Sequence, residues 1–506
     1  MFIIGVYISG LSRRVFPLMC YAFLSSLTLL NSCGKPLSSE APGGVRICNP
    51  LRQLQTEIDS ILSDSVLTCS NVGIKVVSAT TGQSLYNNNA EKLYHPASTM
   101  KLITAATSLV KLKPGYQFHT TLYAGRDEAE DVKANIYLKG RGDPHFNTSD
   151  LEEMVENLVQ SGVKEVYGDV VVDETYFDDK RRGRGWMWDD GPIGGNYSHI
   201  SALTINHNAV VVKIDPGTVV GDPVHVQLYP PTGYLRIVNR ATTTASLEKS
   251  NLCIERQTEP FGANVLTIRG AMKIGQLQIQ RQVDIIDPAL YAATLLKERL
   301  LSNEIRVQGI ARHGKVPDDA IEIANHVSPP LFLVVRAMNK PSDNLTAELL
   351  LKTVGAEIVD VPGTTAKGLD VMHQFLKEIG IDTVQSTLAD GAGVSRYNLL
   401  SASMLTGLLV SMFQDFSVMP EYLASLPVAG VDGTLSRRMK TTGAEKRLRA
   451  KTGTMRGVTA LAGYTMTADH EILAFAILMS HYAGSANPRR ALQDEIGTAL
   501  AQFSWR

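Results

Sequence analysis

Ser98 and Lys101 stand three residues apart in the stretch His95-Pro-Ala-Ser-Thr-Met-Lys-Leu102. Pro96 is tolerated in a helical first turn and Leu102 to Val110 is apolar, so the spacing predicts a helix opening after Pro96. Residues three apart on a helix share a face. A serine hydroxyl becomes a good nucleophile once a base takes its proton, and a lysine desolvated beside other cations has the lowered pKa that such a base needs. The helix N-terminus adds positive potential where an oxyanion would develop. Taken alone, the four-residue pattern also fits a plain first-turn serine followed by a solvated lysine.

Two further motifs change that balance. Ser342-Asp343-Asn344 opens the apolar helical run Leu345 to Val354, so a second serine and an amide would project from a loop at a helix start. Asp343 is the natural cap of that helix. Lys451-Thr452-Gly453-Thr454 precedes the run Val458 to Tyr464, where an edge strand could offer its backbone to an extended peptide. S-x-x-K, S-D-N and K-T-G in this order are the signature shared by class A β-lactamases and penicillin-binding proteins.

Ser342 lies 244 residues after Ser98, far more than a compact penicillin-recognising domain needs. The chain thereby resembles the penicillin-binding protein 4 family of D-alanyl-D-alanine carboxypeptidases/endopeptidases, the S13 peptidases, whose extra domains sit between the first two motifs. Gly140-Arg-Gly-Asp-Pro144, Gly168 to Asp173, Gly185 to Asp189, Ile200 to Asn208, Asp390-Gly-Ala-Gly393 and Leu426 to Gly430 agree with it, over about Leu51 to Arg506. Ala392 departs from the family, standing where its DGSG turn has serine.

The resemblance implies an α/β (α+β) fold of the serine β-lactamase/D,D-peptidase type, an antiparallel sheet with flanking helices, interrupted by a mainly β inserted region. It implies Ser98 as nucleophile, Lys101 as base and Ser342 as proton relay. Asn344 is then expected to hold the substrate amide, and Lys451, Thr452, Gly453 and Thr454 to take the terminal carboxylate and the oxyanion. The expected partners are peptidoglycan stem peptides ending in D-Ala-D-Ala and β-lactam antibiotics, with no cofactor and no metal. A β-lactamase or esterase on the same frame, and a wall-binding or penicillin-sensing protein that never turns over, remain alternatives. Glu348, four residues after Asn344, reads as helix surface or core pairing.

The elements that must position these residues follow from periodicity. A helix is expected over Leu51 to Leu62, strands over Asn71 to Ser78 and Gln83 to Asn87, and a helix after Pro96. Short β-branched runs such as Asp169 to Asp173, Ala209 to Ile214 and Val224 to Leu228 mark 123–284 as the β-rich insert. Helical spacing returns after Asp287-Pro288, in Ala289 to Leu301, Leu345 to Val354 and Leu399 to Phe413. Val458 to Tyr464 and Ile472 to Leu478 suit adjacent strands, followed by a helix near Arg489 to Phe503. The catalytic domain is thus expected from 51–122 and 285–506.

Composition bounds the function classes. The 506 residues carry 49 Lys and Arg against 50 Asp and Glu, and are 44% apolar and 20% charged. That is the balance of an ordinary globular protein, neither disordered nor polytopic, and it supplies no general attraction for nucleic acid. Five cysteines without a CxxC pair, and histidines without HExxH, argue against zinc. Arg13 and Arg14 followed by the short apolar run Val15 to Leu30 read as an export signal over 1–33, with a Gly/Pro/Ser-rich linker over 34–50. Leu30-Asn-Ser-Cys-Gly34 resembles a lipobox, so lipid attachment at Cys33 and ordinary cleavage near Ser32 are both open, and the expected location is the periplasm. Export would permit a Cys48–Cys69 disulfide, although reduced cysteines fit as well.

Overall fold

The computed structural model describes residues 49–125, 135–186, 198–258 and 264–506. The segment 1–33 expected to be an export signal, with Cys33, and also Cys48, most of the expected linker and part of the Gly185 to Asp189 stretch lie outside these described residues. Cys69 and Cys253 are free and exposed. No helix among the described residues is long and apolar enough to cross a membrane.

Five antiparallel strands form the central sheet, in the order Leu448–Met455, Val458–Met466, Ile472–Ser480, Asn71–Ser78 and Ser84–Asn88. Pairing of Asn71–Ser78 with Ile472–Ser480 in full register joins strands about four hundred residues apart in the chain. The expected neighbours around 458 and 472 do pair. Both middle strands are buried on both faces, and side-chain alternation sorts them. Leu461, Leu473, Phe475 and Ile477 pack against the helices Pro50–Leu62 and Asn487–Gln502. Ala460, Ala462, Ala474 and Ala476 face the other way, toward Lys101–Leu112 and Ala402–Gln414. Four alanines on that face leave room for those two helices, the first of which opens with Lys101. Helix Pro50–Leu62 starts where Asn49 caps it, its side chain accepting from the amide of Leu51 at 3.0 Å, with Pro50 at the first position.

A second core lies between the first two motifs. Its five-stranded sheet has the order Ala311–His313, Val170–Asp173, Ile136–Gly140, His119–Ala124 and Ile321–Val327. Smaller sheets join it, among them Ala209–Asp215 between Ile279–Asp284 and His225–Tyr229. Helices Thr148–Gln160 and Pro288–Ser302 cover it. This core takes in more chain than 123–284. Strands His119–Ala124 and Ile321–Val327 pair with each other, and the helix after Asp287 buries Leu295, Leu296 and Leu300 here. The return of helical spacing at 288 is real; which core a helix joins is not written in its period.

Candidate active site

The Ser98 segment begins as a tight 3-10 turn, Ala97–Met100, before the α-helix Lys101–Leu112. In a 3-10 turn side chains at i and i+3 eclipse, so Ser98 and Lys101 stack more directly than on an α-helix. Lys101 Nζ lies 3.1 Å from Ser98 Oγ. The same ammonium nitrogen reaches Asn344 Oδ1 at 2.7 Å and the carbonyl of Ala392 at 2.6 Å. Ala97 holds φ 46°, a left-handed conformation that a non-glycine residue adopts at a cost.

Lys101 is fully buried, and desolvation pulls its pKa down to about 8, against the opposing pull of Asp390, Asp343 and Glu348. That chemistry matches a base. A neutral amine has two N–H groups and one lone pair, so it can donate to Asn344 and Ala392 while accepting the Ser98 proton.

The second motif meets it from the helix Asn344–Ile358. Asp343 caps this helix, its Oδ1 accepting from the amide of Thr346 at 2.6 Å, as its position predicts. Ser342 sits at φ 71° before the cap. Its Oγ accepts from Lys451 Nζ at 2.8 Å, and Lys451 also donates to the carbonyl of Thr452 at 2.9 Å. Lys451 is fully buried on the edge strand, and desolvation, reinforced by the charge of Lys101, holds its pKa well below the usual lysine value.

The third motif lies along that edge strand, which approaches the turn before Ser98 closely. A Cβ at Gly453 would stand 2.8 Å from the carbonyl of Pro96 and 3.0 Å from Ala97 Cβ, so only glycine fits without displacement. Ser98, Ser342, Thr452 and Thr454 line a common cavity of about 330 Å³, with Thr434, Arg438 and Arg490 completing its wall. Thr452 Oγ1 donates to Thr434 Oγ1 at 2.8 Å, and Arg490 Nη2 donates to Thr454 Oγ1 at 3.0 Å. The eight residues expected at the site are therefore brought together, with Lys101, Asn344 and Lys451 behind the four that face the cavity and Gly453 packed against Pro96 and Ala97.

Thr434, Arg438 and Arg490 belong to no motif, and an arginine in the first turns of an amphipathic C-terminal helix reads as a solvated charge. The turn Asp390–Gly393 supports Lys101, whose Nζ donates to the Ala392 carbonyl. Glu348 is fully buried, accepts from the amides of Gly391 and Ala392 at 2.8 Å each, and is pushed up to about 8 by burial. It is core pairing, one of its two sequence readings. Ala392 acts here through its backbone, giving its N–H to Glu348 and its carbonyl to Lys101, so the alanine leaves those two contacts intact. Asp390 accepts from the amides of Gly393 and Ser395 and from Trp186 Nε1.

Gly393, at φ +80°, would place a Cβ 1.9 Å from the carbonyl of Ala97. Gly393→Ala therefore meets a backbone penalty and a clash with the turn before Ser98 together. We expect a loss of about 2–4 kcal/mol in urea unfolding, with slowed penicillin acylation. An unchanged urea midpoint would show that the turn yields freely.

Comparison with known proteins fits this geometry. The model of the D-Ala-D-Ala carboxypeptidase 3 (S13) family matches residues 54–502. The chain belongs to that family. A D-alanyl-D-alanine carboxypeptidase of Actinomadura sp. (strain R39) is 35% identical, with 98% of this chain and 91% of that protein covered. The D-alanyl-D-alanine carboxypeptidase DacB of Haemophilus influenzae is 27% identical, over 82% of this chain and 86% of its own. The crystal structure of penicillin-binding protein 4 from the same organism shares the fold, with a TM-score of 0.76 at 24% identity over 88% of this chain and 98% of that one. For this S13 chain the expected α+β architecture is thus the observed one.

Proposed function

We propose that this S13 chain is a serine-type D-alanyl-D-alanine carboxypeptidase/endopeptidase, acting on peptidoglycan stem peptides through an acyl-enzyme on Ser98 and inhibited when penicillin forms the same bond. The observation that carries this reading is the buried Lys101 amine, 3.1 Å from Ser98 Oγ, in a site whose other serine is bonded to a second buried lysine.

In the proposed cycle Lys101 takes the Ser98 proton as Oγ attacks the carbonyl carbon of the penultimate D-alanine. The tetrahedral oxyanion is held by the backbone N–H groups of Ser98 and Thr454. Collapse expels D-alanine, or the amine of a cross-linked neighbour, with a proton relayed through Ser342 beside Lys451. Water then hydrolyses the acyl-enzyme. Asn344 holds the substrate amide, while Lys451 and Thr452 draw in the terminal carboxylate. The β-lactam amide of penicillin enters the same sequence, and slow deacylation makes it an inhibitor. In this reading the two ends of the chain form the catalytic domain around the β-rich region. The protein works after export to the periplasm, with Cys33 the candidate point of lipid attachment.

Intact mass before and after benzylpenicillin, with peptide mapping and an assay of D-alanine released from a stem pentapeptide, tests the proposal. A stable adduct on Ser98 with D-alanine release supports it. Rapid loss of the adduct with fast penicillin turnover would mark a β-lactamase, and an adduct without release a penicillin sensor or a strict endopeptidase. The lowered pKa of Lys101 adds a pH test. The free amine is the active form, so kcat/KM for acylation should rise about tenfold per pH unit below about 8 and level off above it. A rate independent of pH between 6 and 8 would remove Lys101 as the base.

A further inference from the structure

We propose that Arg490 is a specificity-determining residue that receives the C-terminal carboxylate of the substrate, both directly and by orienting Thr454. The inference rests on the carboxypeptidase reading and deepens it, because none of the three motifs contains this residue.

Two arginines reach the cavity wall beside Ser98, and they differ in charge balance. Arg438 is already neutralised: its guanidinium is 2.7 Å from Asp494 Oδ1 and also bonds Gln493 Oε1 at 3.2 Å. Arg490 has only neutral partners, Asn487 Oδ1 at 3.2 Å and Thr454 Oγ1 at 3.0 Å, and no carboxylate lies within ion-pair distance of it among the described residues. Lys101 and Lys451 are fully buried behind the wall, their amines bonded to Ser98, Asn344, Ser342 and backbone carbonyls, so Lys451 draws the carboxylate only from a distance and makes no direct ion pair with it. Arg490 is therefore the cavity-lining cation whose charge is left for a ligand.

The side chain is also held in place. Its own carbonyl accepts from Arg438 Nη2 at 3.3 Å. The neighbouring Arg489 ties the helix start to Ser70 Oγ at 3.1 Å and to the carbonyl of Val66 at 2.8 Å, and its guanidinium lies 4.0 Å above the Tyr482 ring. A pre-positioned guanidinium loses less freedom on binding than a free surface arginine. Its second effect passes through Thr454. A threonine hydroxyl has one proton and two lone pairs. With one lone pair taken by Arg490, the Thr454 proton is free to point at an anion in the cavity. Guanidinium and hydroxyl then converge on a carboxylate in a charge-assisted arrangement.

The test compares a stem pentapeptide ending in D-Ala-D-Ala with the same peptide ending in D-alaninamide, on the wild type, Arg490→Ala and Arg490→Lys. The wild type should prefer the acid. Arg490→Ala should lower kcat/KM for the acid about 10- to 100-fold, mainly through KM, and leave the amide nearly unchanged, so the acid/amide ratio collapses. Arg490→Lys should restore part of that ratio. Acylation by benzylpenicillin against its methyl ester should follow the same order. An unchanged ratio in Arg490→Ala, or an equal loss on acid and amide, overturns the proposal. If the wild type releases no D-alanine yet is acylated by penicillin, the carboxypeptidase reading fails, while the penicillin and methyl ester pair still decides the role of Arg490.

Discussion

Ser98→Ala should eliminate the benzylpenicillin adduct and lower D-alanine release by on the order of 10⁴-fold or more. The substitution removes the atom that forms the covalent bond, so no residual route through the acyl-enzyme exists. The fold should survive. Ser98 supplies one of three partners to Lys101, and Asn344 Oδ1 and the Ala392 carbonyl remain. Loss of one such hydrogen bond costs about 1 kcal/mol, which thermal unfolding followed by circular dichroism would register as a small shift. Labelling that persists in a folded Ser98→Ala protein would place the nucleophile elsewhere, with Ser342 the first residue to map.

Lys101→Met should cut the acylation rate on the order of 10³-fold while non-covalent binding of the peptide changes little, because a general base contributes to the transition state and not to docking. Methionine fills a similar volume but carries no proton acceptor of comparable strength. The substitution also has a structural cost. The Ala392 carbonyl loses its Lys101 donor in a buried site, at about 1–3 kcal/mol for a group left unsatisfied. Urea unfolding measures that part separately from the rate. Lys101→Arg should not rescue acylation, since a guanidinium stays protonated and cannot take the Ser98 proton. Near-normal acylation in Lys101→Met would move the base to the Ser342–Lys451 pair.

The two substitutions act on different events, which gives them separate signatures. Ser98→Ala leaves a base with nothing to activate. Lys101→Met leaves a nucleophile that still reacts slowly, so prolonged incubation with penicillin should yield a Ser98 adduct in the second variant and none in the first.

Much of this site was readable before any coordinates. The three-residue interval between Ser98 and Lys101 is a local property of a helical turn, and it survives the change from the expected α-helix to the observed 3-10 turn because both geometries bring i and i+3 together. Asp343 announces its cap by preceding an apolar helical run, and the strands at 458 and 472 announce themselves by their buried, β-rich composition. Glu348 shows the limit. Its place one turn after Asn344 is visible, but its burial and its grip on the Gly391 and Ala392 amides depend on a turn more than forty residues away.

What the sequence by itself determined is therefore the family and its motifs: Ser98 with Lys101, Ser342 with Asn344, and the K-T-G strand, each set by local spacing and order. Tertiary structure decided the rest. It set which core each helix joins, since the helix after Asp287 and the strands at 119 and 321 are assigned by packing and pairing across the chain. It put the buried lysines in low-dielectric surroundings, which is what pulls their pKa values down. It also assembled the cavity wall, where Thr434 from the short 3-10 turn Gly433–Leu435 and Arg490 from the last helix meet Ser98 and the edge strand. Periodicity reports only neighbours along one element, and these residues become neighbours because the sheet pairs the strand at 71 with the one at 472.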